Sequence, residues 1–354
     1  ISVDPDMRAP AHWGVAIAGA DRDHTVKIDP VGLRPGTTYY YRFFAAGQAS
    51  PIGRTRTLPI GRLDRLRLAV VSCANRPYGY FNVYGNVARR NDLVAVLHLG
   101  DYLYEYANGE YGDGAAIGRI PEPDKELVTL ADYRTRHAQY KTDPQLQEAH
   151  RQHPFIVVWD DHEFANDAWF GGAEAHDPRR EDGPWVERRS HAAQAYFEWL
   201  PIRAPAGVRT PIYRHFAFGN LMDLLMLDTR ISGRDEQADH PFDNESVRAQ
   251  GRQLLGVGQE RWLLDQLDAS VRRGTAWRVL GQQVMFGQLK VPPGEPITIV
   301  IDQRSSVPGN VDQWDGYPAS RQAILDHIEG YDLSLIHISE PTRLGMLSRM
   351  PSSA

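Results

Sequence analysis

The stretch FIVVWDDHEFANDAW at residues 155–169 decides the fold. Its first five residues, 155–159, are all β-branched or aromatic and read as a buried strand. Asp160, Asp161, His162 and Glu163 follow at once. Open α/β sheets bind their ligands at the carboxyl ends of strands, which is where this run of acids and imidazole falls. Two other segments repeat the arrangement. Residues 66–71 are apolar-rich and end in Ser72-Cys73-Ala74-Asn75-Arg76, and residues 93–99 end in Gly100-Asp101-Tyr102-Leu103-Tyr104. Each motif alone has a plainer reading: Asp-Asp-His as a helix-capping turn, Cys73 as a buried structural thiol. Together, three strand ends presenting oxygen, nitrogen and sulfur donors point to one shared metal site.

From residue 65 onward strands and helices alternate, which predicts an α/β fold. Residues 84–90 read as a short helix, and the Gly- and Pro-rich residues 106–123 as a loop overhanging the site. Thr129-x-x-Asp132 has capping-box spacing and starts a helix to about Tyr140; Asp143-Pro144 starts another. Residues 184–200 place Val186, Ala193, Tyr196 and Leu200 on one helical face. A strand at 221–227 leads into Asp228 and Arg230, and helices at 258–269 and 320–329 enclose a strand at 277–285. Residues 1–57 form a small β unit, with strand-like alternation at 24–28 and 38–45. Leu33-x-Pro35-x-Thr37-x-Tyr39 resembles the fibronectin type III corner, in which the tyrosine hydroxyl bonds back to the chain. Such sandwiches need ~100 residues, so 1–57 reads as a partial one, joined to the rest by a linker at 57–64.

Composition narrows the function classes. With 42% hydrophobic and 24% charged residues, the 354-residue chain is ordinary globular protein, long enough for two domains. A net charge of −6 supplies no basic field, which argues against a nucleic-acid scaffold. No apolar run approaches the ~20 residues of a membrane span. The single cysteine forms no internal disulfide.

The segments VSCANR (71–76), HLGDYLYEY (98–106), YRTRHAQYKTDPQLQEAH (133–150) and VVWDDHEFANDAW (157–169) closely resemble the alkaline phosphatase D (PhoD-like) family of calcineurin-like metallophosphoesterases. LDTR at 227–230, GQQVMFG at 281–287 and QWDGYPASR at 313–321 continue the match in order. The resemblance covers 65–332 and implies a two-sheet metallophosphoesterase sandwich flanked by helices, behind the partial fibronectin-III-like domain. It implies a metal-dependent hydrolase of small phosphate mono- or diesters, acting as a monomer in a secreted or periplasmic setting. A phospholipase-D-like diesterase is the alternative within enzymes, and a catalytically inert binding fragment the alternative outside them. Relatives carry a Gly-Asp-x-His motif near the C-terminal end. Residues 333–354, LSLIHISEPTRLGMLSRMPSSA, lack it and read as a non-native tail like translated adapter sequence; His337 is assigned no role.

Phosphoester hydrolysis needs an acidified water and countercharge for the phosphoryl oxygens, which paired metal ions supply. Asp101 suits a bridging ligand because a carboxylate has two oxygens to share. Tyr104, three residues on, would bind as phenolate, which favours ferric iron, and Cys73 as thiolate. The resemblance implies Fe3+ together with Ca2+, and oxygen-only ligands suit calcium. Asp161 falls where the superfamily's Gly-Asn-His-Asp/Glu motif has a metal-binding Asn, and His162 where its histidine contacts the phosphoryl group. Asp160 and Asn166 are candidates for the second ion. Asn75, Arg76 and Arg230 could hold phosphate, with a salt bridge or cap as the plainer role. His98 reads as packed, and residues 314–317 as a turn with aromatic packing.

Overall fold

Tyr39 does form a corner: it is buried, and its hydroxyl accepts a hydrogen bond from the Arg34 amide at 2.8 Å. It lies on β1 (Thr38–Tyr41), which pairs antiparallel with β4 (Gly53–Arg56); β2 (Phe44–Ala45) and β3 (Gln48–Ala49) form a small hairpin between them. The structure is a computed structural model and describes the chain except residues 175, 180–181, 204–210, 239–243, 288–309, 332–334 and 339–354. Residues 24–28 form no strand, contrary to their alternation. Lys27 instead spends its ammonium on the carbonyls of Phe197, Leu200 and Ile202 at a helix end, where a cation is favoured.

The larger part of the chain is built on a parallel sheet of β5 (Leu68–Val71), β6 (Ala95–His98) and β7 (Phe155–Val157), in that order. Each strand is shorter than its apolar run. Leu99, Val158 and Trp159 are buried but belong to the turns that carry the acids. Helices α1 (Asn82–Ala88), α2 (Leu130–Tyr140) and α3 (Pro144–Gln152) lie between these strands in sequence. Thr129 and Asp132 make the expected capping box, and Asp143 caps α3 by accepting from the Gln145 and Leu146 amides. Helix α4 (Trp185–Trp199) packs on α2 with Trp185, Ala192, Ala195 and Tyr196 inward. Val186, expected on that face, is exposed. The face is rotated because Arg188 is buried, donating to Glu126 at 2.7 Å and to the Tyr133 hydroxyl at 3.2 Å, and an apolar stripe cannot reveal a paired cation.

A second sheet has the order β11-β10-β9-β8: β8 (Arg214–Phe218) is antiparallel to β9 (Met222–Met226), and β9, β10 (Trp277–Gly281) and β11 (Leu335–Ile338) are parallel. Residues 335–338, read from sequence as part of a non-native tail, thus run beside β10 with Arg278 opposite Leu335. This run supplies β10 with the backbone partners that an edge strand otherwise lacks. The remainder of that segment lies outside the described residues. Short α5 (Asn244–Val247) precedes α6 (Gly256–Arg273), and α7 (Pro318–Gly330) precedes β11. Strand β9 shows why this is a sandwich. Leu224 and Met226 join Val96, Leu97 and Val157 of the first sheet in one core, while Leu225 and Leu227 join Leu263 and Leu267 of α6 and Ile324 and Ile328 of α7. Side chains alternate across a strand, so β9 is buried on both faces.

Asp223 breaks that apolar pattern on β9. It accepts from His215 Nε2 at 2.7 Å and from Arg273 at 2.8 Å. Burial raises its carboxyl, but the bonds, His215 first, outweigh it and hold the group below the usual carboxylate range. A carboxyl depressed in the folded state adds stability above its unfolded value of about 3.9 and loses it as pH falls toward the folded value. Asp223→Asn is therefore expected to be less stable than the parent at pH 6 and to flatten its loss of stability below about pH 4. Urea unfolding between pH 3 and pH 6 checks this; parallel curves for variant and parent would refute it.

Candidate metal centre

The turns after β5, β6 and β7 are held in contact by backbone geometry that few residues tolerate. At Gly100, with φ of 109°, a side-chain Cβ would sit 2.4 Å from the Asp160 amide nitrogen, so only glycine lets the two turns approach. Cys73 and Asp101 both adopt left-handed φ, 55° and 52°, which costs a non-glycine residue of order 1–2 kcal/mol. The Cys73 amide donates to the Gly100 carbonyl at 3.2 Å and the Ala74 amide to the Asp101 carbonyl at 2.8 Å. Glu163 closes the arrangement. Its buried carboxylate accepts from the Asp101 amide at 3.0 Å, the Asp160 amide at 2.7 Å and the Tyr102 amide, so one side chain ties two strand ends together. Burial, then the charge of Asp101, push the Glu163 carboxyl up, while those amides oppose the shift.

Ligand atoms of Asp101, Asp161 and His162 come within 4.8 Å of one another, and all three residues are buried. The Tyr104 hydroxyl donates to Asp101 Oδ2 at 3.0 Å, and Cys73 Sγ lies 3.6 Å from the same oxygen. The structure thus brings Cys73, Asp101, Tyr104, Asp161 and His162 together. His162 is fixed by Glu105, whose Oε2 is 2.8 Å from Nδ1 and whose Oε1 accepts the Asn166 amide at 2.6 Å. The Glu105 carboxyl group faces Nδ1, which fixes the ring and turns Nε2 to the opposite side. The imidazole packs against Tyr104 at a ring separation of 4.2 Å. Two carboxylates converging in a buried space are costly to charge, and a cation among them supplies the balance. Carboxylate, phenol, imidazole and thiol are donors that suit a transition ion. The residues present therefore fit a metal.

Other expected site residues do different work. Arg230 is wholly buried and committed to acids: Nε donates to Asp160 Oδ1, the two terminal nitrogens to Asp312 at 2.6 and 2.9 Å, and Asp161 Oδ1 is 3.6 Å away. These bonds engage the guanidinium with carboxylates, so that Arg230 links the turns of the two sheets. It also engages Asp160, which the close group of donors does not include. Asn166 Nδ2 donates to Glu174 at 2.5 Å. Asn75 Nδ2 donates to the Tyr111 carbonyl at 3.1 Å. Arg76 makes a hydrogen bond from its amide to the Tyr140 hydroxyl, and burial and nearby Arg119 lower its pKa. His98 is packed as expected, 2.8 Å from the Tyr84 hydroxyl. Trp314 is buried in a single 3-10 turn, donating to Gln282 at 2.6 Å. Glu105, Glu163 and Asp312 are functional neighbours that the sequence does not single out. The first two stand inside the quoted motifs, where an acid beside metal-binding acids looks like one more ligand.

A buried set of mixed donors thus gathers at the carboxyl ends of parallel strands, in a fold whose two sheets share one core. The chain belongs to the PhoD-like phosphatase family, which matches residues 68–336, and the N-terminal domain of that family matches residues 1–59. It is 36% identical over 344 residues to alkaline phosphatase D of Bacillus subtilis (strain 168), a match covering 94% of this chain and 55% of that protein. A solved structure titled "Structure of PhoD" superposes with a TM-score of 0.84 at 35% identity, covering 96% of this chain and 63% of that one. The chain spans a little over half the length of the curated relative it matches. Among the described residues no helix is long and apolar enough to cross a membrane.

Proposed function

We propose that the protein hydrolyses phosphate mono- or diesters at the Asp101–Asp161–His162 group. The observation that carries this reading is the convergence of those three buried ligands within 4.8 Å, with Tyr104 and Cys73 against Asp101. Asp101, Asp161, Tyr104 and Cys73 would hold the metal. Bound there, it would acidify a water and offset the charge of the phosphoryl oxygens. His162 stands ready to exchange a proton with the ester through Nε2, because Glu105 fixes Nδ1. Glu163 and Gly100 keep the turns at their spacing. Iron at the phenol and thiol, with calcium at all-oxygen positions, is supported by donor chemistry and by the family likeness. The same likeness supports a small-molecule substrate; a monomer with a secreted or periplasmic place of action belongs to the same proposal.

Purified protein reconstituted with iron and calcium, assayed with p-nitrophenyl phosphate and bis-p-nitrophenyl phosphate, tests the activity. Failure to retain metal or to cleave either ester would refute it. Ligation by Tyr104 has its own signature. A ferric phenolate absorbs visible light, so Tyr104→Phe is expected to remove or shift the band while elemental analysis still finds iron. A colourless, iron-replete parent would show Tyr104 not to be a ligand.

A further inference from the structure

The loop at 106–123 raises an aromatic wall beside the metal group. Tyr111 is 44% exposed. Its ring stacks at 5.7 Å and 24° on Tyr104 and at 5.9 Å and 26° on His162. Tyr106 lies 5.4 Å from it, and exposed Tyr78 meets it edge-on at 5.6 Å. The cleft that Tyr111 shares with Asn75, Pro77, Tyr104 and Tyr106 is too tight for water, so a ligand would meet the exposed part of the ring.

The loop is fixed in place by bonds that do not depend on a ligand. Asn75, from the turn after β5, donates to the Tyr111 carbonyl at 3.1 Å. The Gly109 amide donates to the Gly112 carbonyl at 2.9 Å, closing a tight turn around Tyr111. Asn108 donates from its amide to Asp124 at 2.7 Å and from Nδ2 to Asp113 at 2.7 Å, and accepts from the Gly114 amide at 2.9 Å. A ring held this way loses little freedom when a ligand stacks on it, so the contact is pre-organised.

We propose that Tyr111 selects phosphoesters whose organic group is a flat aromatic ring, an aryl group or a nucleobase. This rests on the reading that phosphate esters bind at Asp101, Asp161 and His162. The Tyr111 ring centre is 5.9 Å from that of His162, so the organic arm of an ester whose phosphoryl group meets His162 starts beside the exposed part of Tyr111. An aromatic arm gains an offset stack there, and an alkyl arm does not. The ring rather than the hydroxyl is the recognition element, since stacking is a property of the π face.

Binding of non-hydrolysable ligands tests this without relying on turnover. Titration calorimetry on the metal-loaded protein would compare phenylphosphonate with methylphosphonate, and the methylenephosphonate analogue of adenosine 5′-phosphate with that of glycerol 3-phosphate. The parent is expected to prefer the aromatic member of each pair by about tenfold, equivalent to about 1.4 kcal/mol. Tyr111→Ala and Tyr111→Leu should erase the preference while binding methylphosphonate like the parent, and Tyr111→Phe should keep it. Preference in the phenyl pair alone would assign the wall to aryl groups, and in both pairs to nucleobases as well. Equal affinity within both pairs for the parent, no binding of either member, or an undiminished preference in Tyr111→Ala would overturn the proposal. If the preference holds but no ester is cleaved, the wall stands and the hydrolase reading falls.

Discussion

Asp101→Asn is expected to lower phosphoester hydrolysis about a thousandfold or more, a loss of about 4 kcal/mol of transition-state stabilisation. Its midpoint of thermal unfolding should stay within a few degrees of the parent. Asparagine is nearly isosteric and can hold the left-handed backbone at this position better than most residues. Its amide oxygen can still accept the Tyr104 hydroxyl, and the Asp101 backbone bonds to Glu163 and Ala74 do not involve the side chain. What disappears is the negative charge that balances a cation among buried donors. The variant should therefore lose metal and activity together. Elemental analysis and turnover of p-nitrophenyl phosphate check both, and near-normal turnover with normal metal content would sink the ligand assignment.

Much of this site is legible in the amino-acid sequence because it is local. A strand and the turn after it are contiguous, so 66–76, 93–104 and 155–163 each show both an element and the donors at its end. The features that sequence hides are long-range or depend on pairing. Asp312 lies on no strand end and matters only because the fold brings it to Arg230, 82 residues away in sequence. Arg188 is buried through Glu126 and Tyr133, which no apolar stripe can indicate. Glu163 is visible in its motif, but beside Asp160 and Asp161 it looks like a surplus ligand, whereas its oxygens face backbone amides. Residues 24–28 alternate like a strand, yet Lys27 settles them against the end of α4. In each case a buried polar group finds a partner the local pattern does not specify.

Arg230 carries the sharpest consequence of such pairing. Arg230→Met is expected to destabilise the fold by about 3–5 kcal/mol, because it leaves Asp160 buried without its cation and Asp312 with one of its two. Arg234 still donates to Asp312 at 2.6 Å, so the larger share of the cost falls on Asp160 and the turn after β7. That turn carries Asp161 and His162, so loosening it should also weaken metal retention. Arg230→Lys separates a pin between the two turns from a phosphate holder. A lysine keeps the charge but cannot span Asp160 and the two oxygens of Asp312 with one fork. As a pin, it should cost a large part of the stability lost in Arg230→Met and raise KM little in the molecules that remain folded. As a phosphate holder, it would leave stability near that of the parent and raise KM sharply. Urea unfolding together with KM and kcat for p-nitrophenyl phosphate decides between them, and parental stability with a raised KM would assign Arg230 to the substrate.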